Sequence, residues 1–215
     1  MTLGVLGGTF DPIHNGHIAA GQQAQLALRL DRVMLVPSRI APHRASGAGA
    51  SPEARFAMAA LSAEEHPGWT ASDVELMRDG RSYTFDTLTS LRRASTSQFF
   101  FIIGADAFAE IATWSRYPAV LDLAHFAVVA RPGITLDSLQ TRLPNLAERM
   151  TTPEAHKPDA APSIILIETA TPDISSTEIR RRVRAGESIT GLVPEAVSSY
   201  ISTHRLYAEP GLSAR

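Results

Sequence analysis

The sequence predicts an α/β fold, a parallel sheet with helices on both faces. Three observations lead there. Short apolar runs alternate with stretches of helical periodicity, the pattern of successive βαβ units. The run Phe99-Phe100-Phe101-Ile102-Ile103 is apolar without alternation, which suits a central strand covered on both sides. The polar clusters Gly7 to His17, Ser38 to Arg44, Gly104 to Asp106 and Ser175 to Arg180 each follow directly after a strand candidate. Ligands of open α/β sheets sit beyond the carboxyl ends of the strands, so these four clusters are expected to converge.

The elements follow in order. Leu3 to Leu6 is the first strand, followed by a glycine loop and an alanine-rich helix from about Gly16 to Leu30. Val33 to Val36 is the second strand, stopped by Pro37. Ser38 to Ala50 is rich in Gly, Ala and Ser and lacks periodicity, so it is expected to be a mobile loop that substrate orders. Ser51-Pro52-Glu53 begins a helix with a capping serine, proline at the first helical position and an acid in the first turn. Phe56, Ala60 and Ala63 are its expected buried face. "RSYTFDTLTSLRR", from Arg81 to Arg93, reads as a helix with Leu88 and Leu91 on one face. Gln98 to Ile103, His125 to Ala130 and Ser163 to Ile167 complete the strands, and the last leads through Thr171-Pro172 into "ISSTEIRRRV". No internal repeat is present, and Pro153 to Pro162 reads as a surface loop. One domain is expected over residues 1–206, with residues 207–215 as a frayed tail.

Composition narrows the function. The chain has 215 residues, 44% of them hydrophobic, enough for a full core. A formal net charge of -2 gives no electrostatic basis for binding nucleic acid or an anionic membrane. The sequence contains no cysteine, which excludes disulfides, thiolate zinc sites and a cysteine nucleophile. A basic segment followed by an apolar run is missing at the start, and no stretch approaches the roughly 20 apolar residues of a membrane span. A cytoplasmic location is expected.

Gly7 and Gly8 let the backbone turn tightly and bring its N–H groups close to a ligand. The helix starting near Gly16 adds its positive dipole end and unpaired amides, which favour a phosphate. His14 and His17 lie about one helical turn apart, so both rings can face one oxyanion. The spacing is neither G-x-G-x-x-G nor G-x-x-x-x-G-K-[ST], which disfavours simple dehydrogenase and P-loop readings. A histidine pair supplies only two metal ligands and nothing nearby completes a set, so no metal site is expected. In "ISSTEIRRRV", Ser175 and Glu178 fit a capping box. That leaves Ser176, Thr177 and Arg180, whose hydroxyls and guanidinium at a helix start suit a polyphosphate, while Arg181 and Arg182 read as a solvated face. Asp106 suits a ribose hydroxyl or a helix cap about equally. Trp114 could stack on a planar ring, though spacing alone favours a place in the core.

Together, "GGTFDPIHNGH" (7–17), "PHR" (42–44), "RSYTFDTL" (81–88), "GADAFAEIATW" (104–114), "RPG" (131–133) and "ISSTEIR" (174–180) resemble the nucleotidyltransferase superfamily. The closest likeness is to the bacterial nicotinate-nucleotide adenylyltransferase family, and the motifs run in order over nearly the whole chain. The resemblance implies a Rossmann-like nucleotidyltransferase fold. It also implies a reaction that joins nicotinate mononucleotide to the AMP part of ATP, with Mg2+ accompanying the triphosphate. Gly7, Gly8, Thr9 and Phe10 then line the shared phosphate site. His14 and His17 hold the ATP phosphates, with His17 at the reacting α-phosphate. Arg44 and Gly104 belong to the ATP side, and Asp106 matches a ribose contact. Ser176, Thr177 and Arg180 match the grip on the β- and γ-phosphates, with Arg180 counted with the histidines as catalytic. Tyr83 and Thr84 match the nicotinate pocket, and Trp114 the ring that stacks on the pyridine. Two positions depart from the family pattern: Arg44 stands where lysine is common, and Ser115 where a second aromatic or a basic residue is common. The chemistry implied needs no covalent intermediate, in keeping with an inventory of His, Arg, hydroxyls and amides. The rivals are an adenylyltransferase for the amide mononucleotide or for phosphopantetheine, and a nucleotide-binding module without turnover. Self-association is left open.

Overall fold

The structure, a computed structural model, describes residues 1–42, 49–130, 135–157, 161–169 and 171–208. Apolar runs too short for helices form seven strands: β1 (Thr2–Gly8), β2 (Arg32–Pro37), β3 (Trp69–Ala71), β4 (Gln98–Gly104), β5 (His125–Ala130), β6 (Met150–Thr151) and β7 (Ile164–Glu168). They make one sheet in the order β3-β2-β1-β4-β5-β7-β6, and each neighbouring pair is parallel. The helices are α1 (Asn15–Leu28), α2 (Pro52–Glu64), α3 (Thr84–Ala94), α4 (Ala105–Phe108), α5 (Leu136–Arg142), α6 (Ser176–Arg184) and α7 (Glu195–Thr203). After β1 the chain winds outward through β2 and β3, then returns to β4 and winds the other way. The crevice of such a sheet opens where the direction reverses, beyond the carboxyl ends of β1 and β4.

The apolar run at residues 99 to 103 shows why alternation is missing. Phe100 and Ile102 point into one core layer with Leu6, Leu35, Met58 and Ile179, while Phe99, Phe101 and Ile103 point into the other with Val5, Leu88, Phe108 and Phe126. No helix among the described residues is long and apolar enough to cross a membrane.

Several expectations need correction. The buried face of α2 is Arg55, Met58, Ala59, Ser62 and Ala63; Phe56 and Ala60 are only half-buried. The Ser51 hydroxyl does cap α2, accepting from the amide of Ala54. Helix α3 begins at Thr84, later than Arg81, and Pro37 ends β2 from inside the strand. Strand β3 was invisible because it is three residues long. It is held by the Trp69 indole, which donates to the Gln25 side chain at 2.7 Å and lies where any side chain on Gly21 of α1 would collide with its ring. Residues 153–157 form the expected loop, with Glu154, Ala155 and Lys157 exposed, although its half-buried His156 meets the His125 ring of β5; Arg131-Pro132-Gly133 lies outside the described residues. Tyr207, expected in the frayed tail, is anchored by a hydrogen bond to Asp11.

The contact of His125 with His156 carries a pH dependence. His125 is 3% exposed, stacks on Phe100 at 4.8 Å and meets the His156 ring at 4.8 Å. Burial, and then the neighbouring His156, lower its pKa to about 4. The folded protein therefore binds fewer protons than the unfolded chain from about pH 6.5 down to about 4, and stability falls with pH across that window. One such histidine removes about 2 kcal/mol between pH 7 and pH 5. Denaturant titrations at the two pH values should show a smaller loss for His125→Gln than for the parent; an equal loss would assign the effect elsewhere.

Candidate active site

Strand β1 ends in Gly7-Gly8, and the chain then turns through Thr9 and Phe10 toward α1. Phe10 adopts φ 49°, a left-handed conformation that a bulky residue holds only when its surroundings impose it. They do so here: the ring is 1% exposed, and a Cβ on Gly8 would lie 2.8 Å from it. The Phe10 side chain is therefore core beneath the site. It meets the His17 ring edge-on at 5.0 Å and supports that ring from below.

His14 and His17 stand at the start of α1 with rings stacked at 3.7 Å. The backbone amide of His14 donates to Nδ1 of His17 at 3.3 Å. An Nδ1 that accepts leaves the proton on Nε2, so a neutral His17 still offers an N–H. Burial and the adjacent His14 hold its pKa well below the ordinary imidazole value. Protonating both stacked rings would place two like charges in contact.

Two cavities open beside this turn. The larger, about 390 Å³, is walled by His14, Gly16 and His17 at the start of α1, by Gly104, Ala105 and Asp106 where β4 passes into α4, and by Ser175 and Ser176 at the start of α6. The smaller, about 210 Å³, is walled by Gly7, Gly8, Thr9, Ser38, Pro42, Glu75, Tyr83, Thr84, Trp114 and Ser115, among others. Gly7, Ile103 and Ala107 belong to both walls, so the cavities adjoin at the glycine turn. Three of the four polar clusters thus converge as their positions after strands predicted. The fourth does so through Ser38 and Pro42, since residues 43–48, with Arg44, lie outside the described residues.

The helix starts on these walls are of use to an anion. Ser175 caps α6, accepting from the Glu178 amide at 3.2 Å, and α1 and α6 both direct N-termini at the larger cavity. Tyr83 precedes the first turn of α3 at the smaller one, where the amides of Thr84 and Phe85 have no partner within the helix. Trp114 packs edge-to-face with Phe101 at 6.0 Å and also lines the smaller cavity. Asp106 is exposed in the first turn of α4, on the wall of the larger cavity.

The side chains of Ser176 and Arg180, expected to grip phosphates with Thr177, are engaged within the protein, with Ser176 on the cavity wall. The Ser176 hydroxyl donates to the Pro12 carbonyl at 3.0 Å. Arg180, 9% exposed, donates to the Asp11 carbonyl at 2.7 Å and to the Thr177 hydroxyl at 3.3 Å, and lies 3.5 Å from the Asp11 carboxylate. The cause is Asp11: a carboxylate 1% exposed needs a cation and donors around it. The second half of the capping box also fails to form, because Glu178 binds Arg181 and Arg182 instead of its own helix start. Arg181 and Arg182, read as solvated, spend their charge there.

Three buried groups near the site escaped the sequence reading. Asp11 lies inside "TFDPIH", yet nothing local shows that its carboxylate accepts from the amides of Gly49 and Ala50 at 2.8 and 3.0 Å. Arg55 reads as one polar residue in a helix, but its guanidinium donates to the carbonyls of Thr9, Ser38 and Arg39 at 2.7, 2.6 and 3.1 Å and to Ala50 at 3.3 Å. Glu75 is buried in the wall of the smaller cavity and accepts from the Thr87 hydroxyl at 2.5 Å; burial raises its pKa.

A family model described as cytidylyltransferase-like matches residues 5–182. A protein from Roseiflexus sp. (strain RS-1), named a probable nicotinate-nucleotide adenylyltransferase, is 42% identical over 205 residues, 95% of this chain and 97% of its own. This chain belongs to the nicotinate-nucleotide adenylyltransferase family, within the cytidylyltransferase-like proteins. Another member, from Citrifermentans bemidjiense and named in the same way, is 39% identical over 97% of this chain and 99% of its own. Solved structures agree on the fold. Plasmodium falciparum nicotinic acid mononucleotide adenylyltransferase complexed with NaAD superposes with a TM-score of 0.74 at 17% identity, covering 96% of this chain and 97% of that one. Its complex with APC gives 0.72 at 18% identity, covering 96% of each. The adenylyltransferase family's nucleotidyltransferase fold is therefore the fold of this chain.

Proposed function

We propose that the paired cavities join nicotinate mononucleotide to the AMP part of ATP, forming deamido-NAD and releasing pyrophosphate. The observation that carries the reading is the meeting of two cavities at Gly7, beside His17, whose Nδ1 accepts from the His14 amide. A product made of two nucleotides needs two such compartments, with the new bond at their junction. The larger would take ATP, with its phosphates against the N-termini of α1 and α6 and its ribose near Asp106. The smaller would take the mononucleotide, with its pyridine on Trp114 and its carboxylate at the amides starting α3.

In this arrangement the phosphate of the mononucleotide attacks the α-phosphorus in line and pyrophosphate departs. Catalysis is positioning and charge stabilisation. His17 supplies a neutral donor to the α-phosphate oxygens, whose charge grows in the transition state, and His14 holds its ring by stacking. Arg180, whose guanidinium also donates to the Thr177 hydroxyl, acts from behind through Asp11, while Ser176 presents its amide. Among the described residues no group of three or more His, Cys, Asp or Glu side chains could hold a metal ion. Mg2+ would accompany the triphosphate and offset its charge, and no step here runs through it.

The test is pyrophosphate release with ATP and either nicotinate mononucleotide or its amide. The acid should be preferred by at least about tenfold in kcat/KM, roughly 1.4 kcal/mol. Preference for the amide, or equal use, would refute the substrate assignment, and ligand-dependent melting without turnover would favour a binding module.

A further inference from the structure

We propose that Tyr207, near the end of the chain, is a positioning residue for the ATP half of the site, acting through Asp11. Its hydroxyl donates to Asp11 Oδ1 at 2.9 Å, although 196 positions separate the two. Tyr207 itself sits at φ 64°, a left-handed conformation that costs a non-glycine residue and persists where contacts impose it. Its ring lies against Gly49, where a Cβ would come within 3.2 Å. Burial, followed by the Asp11 charge, raises the pKa of the phenol, so it remains a donor.

What Asp11 does with that bond makes the link functional. Its carboxylate also accepts from the amides of Gly49 and Ala50 and faces Arg180. The next two carbonyls of the turn, on Asp11 and Pro12, are held by Arg180 and Ser176 from α6. The stretch from Asp11 to His14 therefore reaches the ATP cavity through three anchors, and Tyr207 completes the carboxylate one. The mononucleotide side has anchors of its own besides these: Arg55 bonds the carbonyls of Thr9 and Ser38. Losing the phenol hydroxyl should thus loosen the turn where the triphosphate binds and leave the smaller cavity in place. Nothing in the chemistry of the reaction requires a tyrosine there, which is why motif reading passes over it.

This inference rests on assigning ATP to the larger cavity, so its test reads binding apart from turnover. Tyr207→Phe keeps the ring and removes only the hydroxyl. Calorimetric titration of the full chain with a non-hydrolysable ATP analogue should show Kd raised at least about fivefold, with the Kd for nicotinate mononucleotide changed less than twofold and Tm moved by only a few degrees. In steady-state assays KM for ATP should rise with the same selectivity, while kcat falls less. Equal Kd values for parent and variant would overturn the proposal, as would equal weakening toward both ligands, or a lower Tm with both affinities intact. If the parent binds the ATP analogue but shows no turnover, the proposed reaction fails while the role of Tyr207 is still decided by the Kd ratio. If the parent binds no ATP analogue, both readings fall.

Discussion

Replacing His17 with alanine should lower kcat by roughly 10²–10³, about 2.7–4 kcal/mol, the scale of one lost oxyanion donor. ATP affinity should weaken far less, because the N-termini of α1 and α6 remain and ground-state binding uses many donors. The difference arises because only an interaction that strengthens in the transition state accelerates the step. The geometry supports that assignment. Nδ1 is engaged by the His14 amide, so Nε2 carries the one N–H of a neutral ring, and Phe10 and His14 restrict the ring from two sides. Tm should fall by only a few degrees, the cost of losing the cap that Nδ1 places on the His14 amide, because the ring itself opens on a cavity. His17→Asn, which keeps a donor on a shorter side chain, should recover part of the loss. Measuring kcat, ATP affinity and Tm on one preparation separates this from a packing role. A folded alanine variant with more than about a third of the parent kcat, under ~1 kcal/mol of effect, would remove His17 from the mechanism.

Replacing Arg55 with methionine should destabilise the protein by about 3–5 kcal/mol, because it leaves several buried carbonyls without donors. For a domain of this size that is a fall in Tm of roughly 6–20 °C. The residue is 1% exposed and its guanidinium ties together the turn at Thr9, the end of β2 and the start of α2. Methionine keeps much of the stem volume, so the loss reports hydrogen bonding more than a cavity. Arg55→Lys should fall between, since an ammonium is a point donor that cannot match the fork of a guanidinium. Thermal melts of the three proteins would decide it, and a methionine variant melting within about 3 °C of the parent would mean that water or neighbouring donors replace the guanidinium.

The two residues differ in how visible they were beforehand. His17 belongs to "GGTFDPIHNGH", where glycines, a helix start and two histidines are contiguous, so short-range geometry already assembles a phosphate cradle. The sheet was legible for a similar reason. Each strand near the centre is an apolar run, and the chirality of βαβ connections leaves few ways to arrange such runs. Polar clusters that follow those strands then fall on one edge of the sheet without further information. Trp69–Ala71 and Met150–Thr151 carried no such signal, because two or three residues have no period to read.

The sequence by itself determined the parallel α/β architecture, the family, and the convergence of the glycine turn, the α1 histidines, Asp106 and the α6 start on one crevice. These follow from local spacing and strand order, both written along the chain. Only the tertiary structure decided what the buried charges do. Arg180 reads as a guanidinium at a helix start, and only folding shows that the Asp11 carboxylate, withdrawn from water, lies 3.5 Å from it. Arg55 reads as a polar helical residue until carbonyls from three separate segments surround it, and Tyr207 reads as tail until its hydroxyl meets a residue 196 positions earlier. A charge or hydroxyl withdrawn from water must find a partner, and the identity of that partner depends on which distant segments the fold brings together.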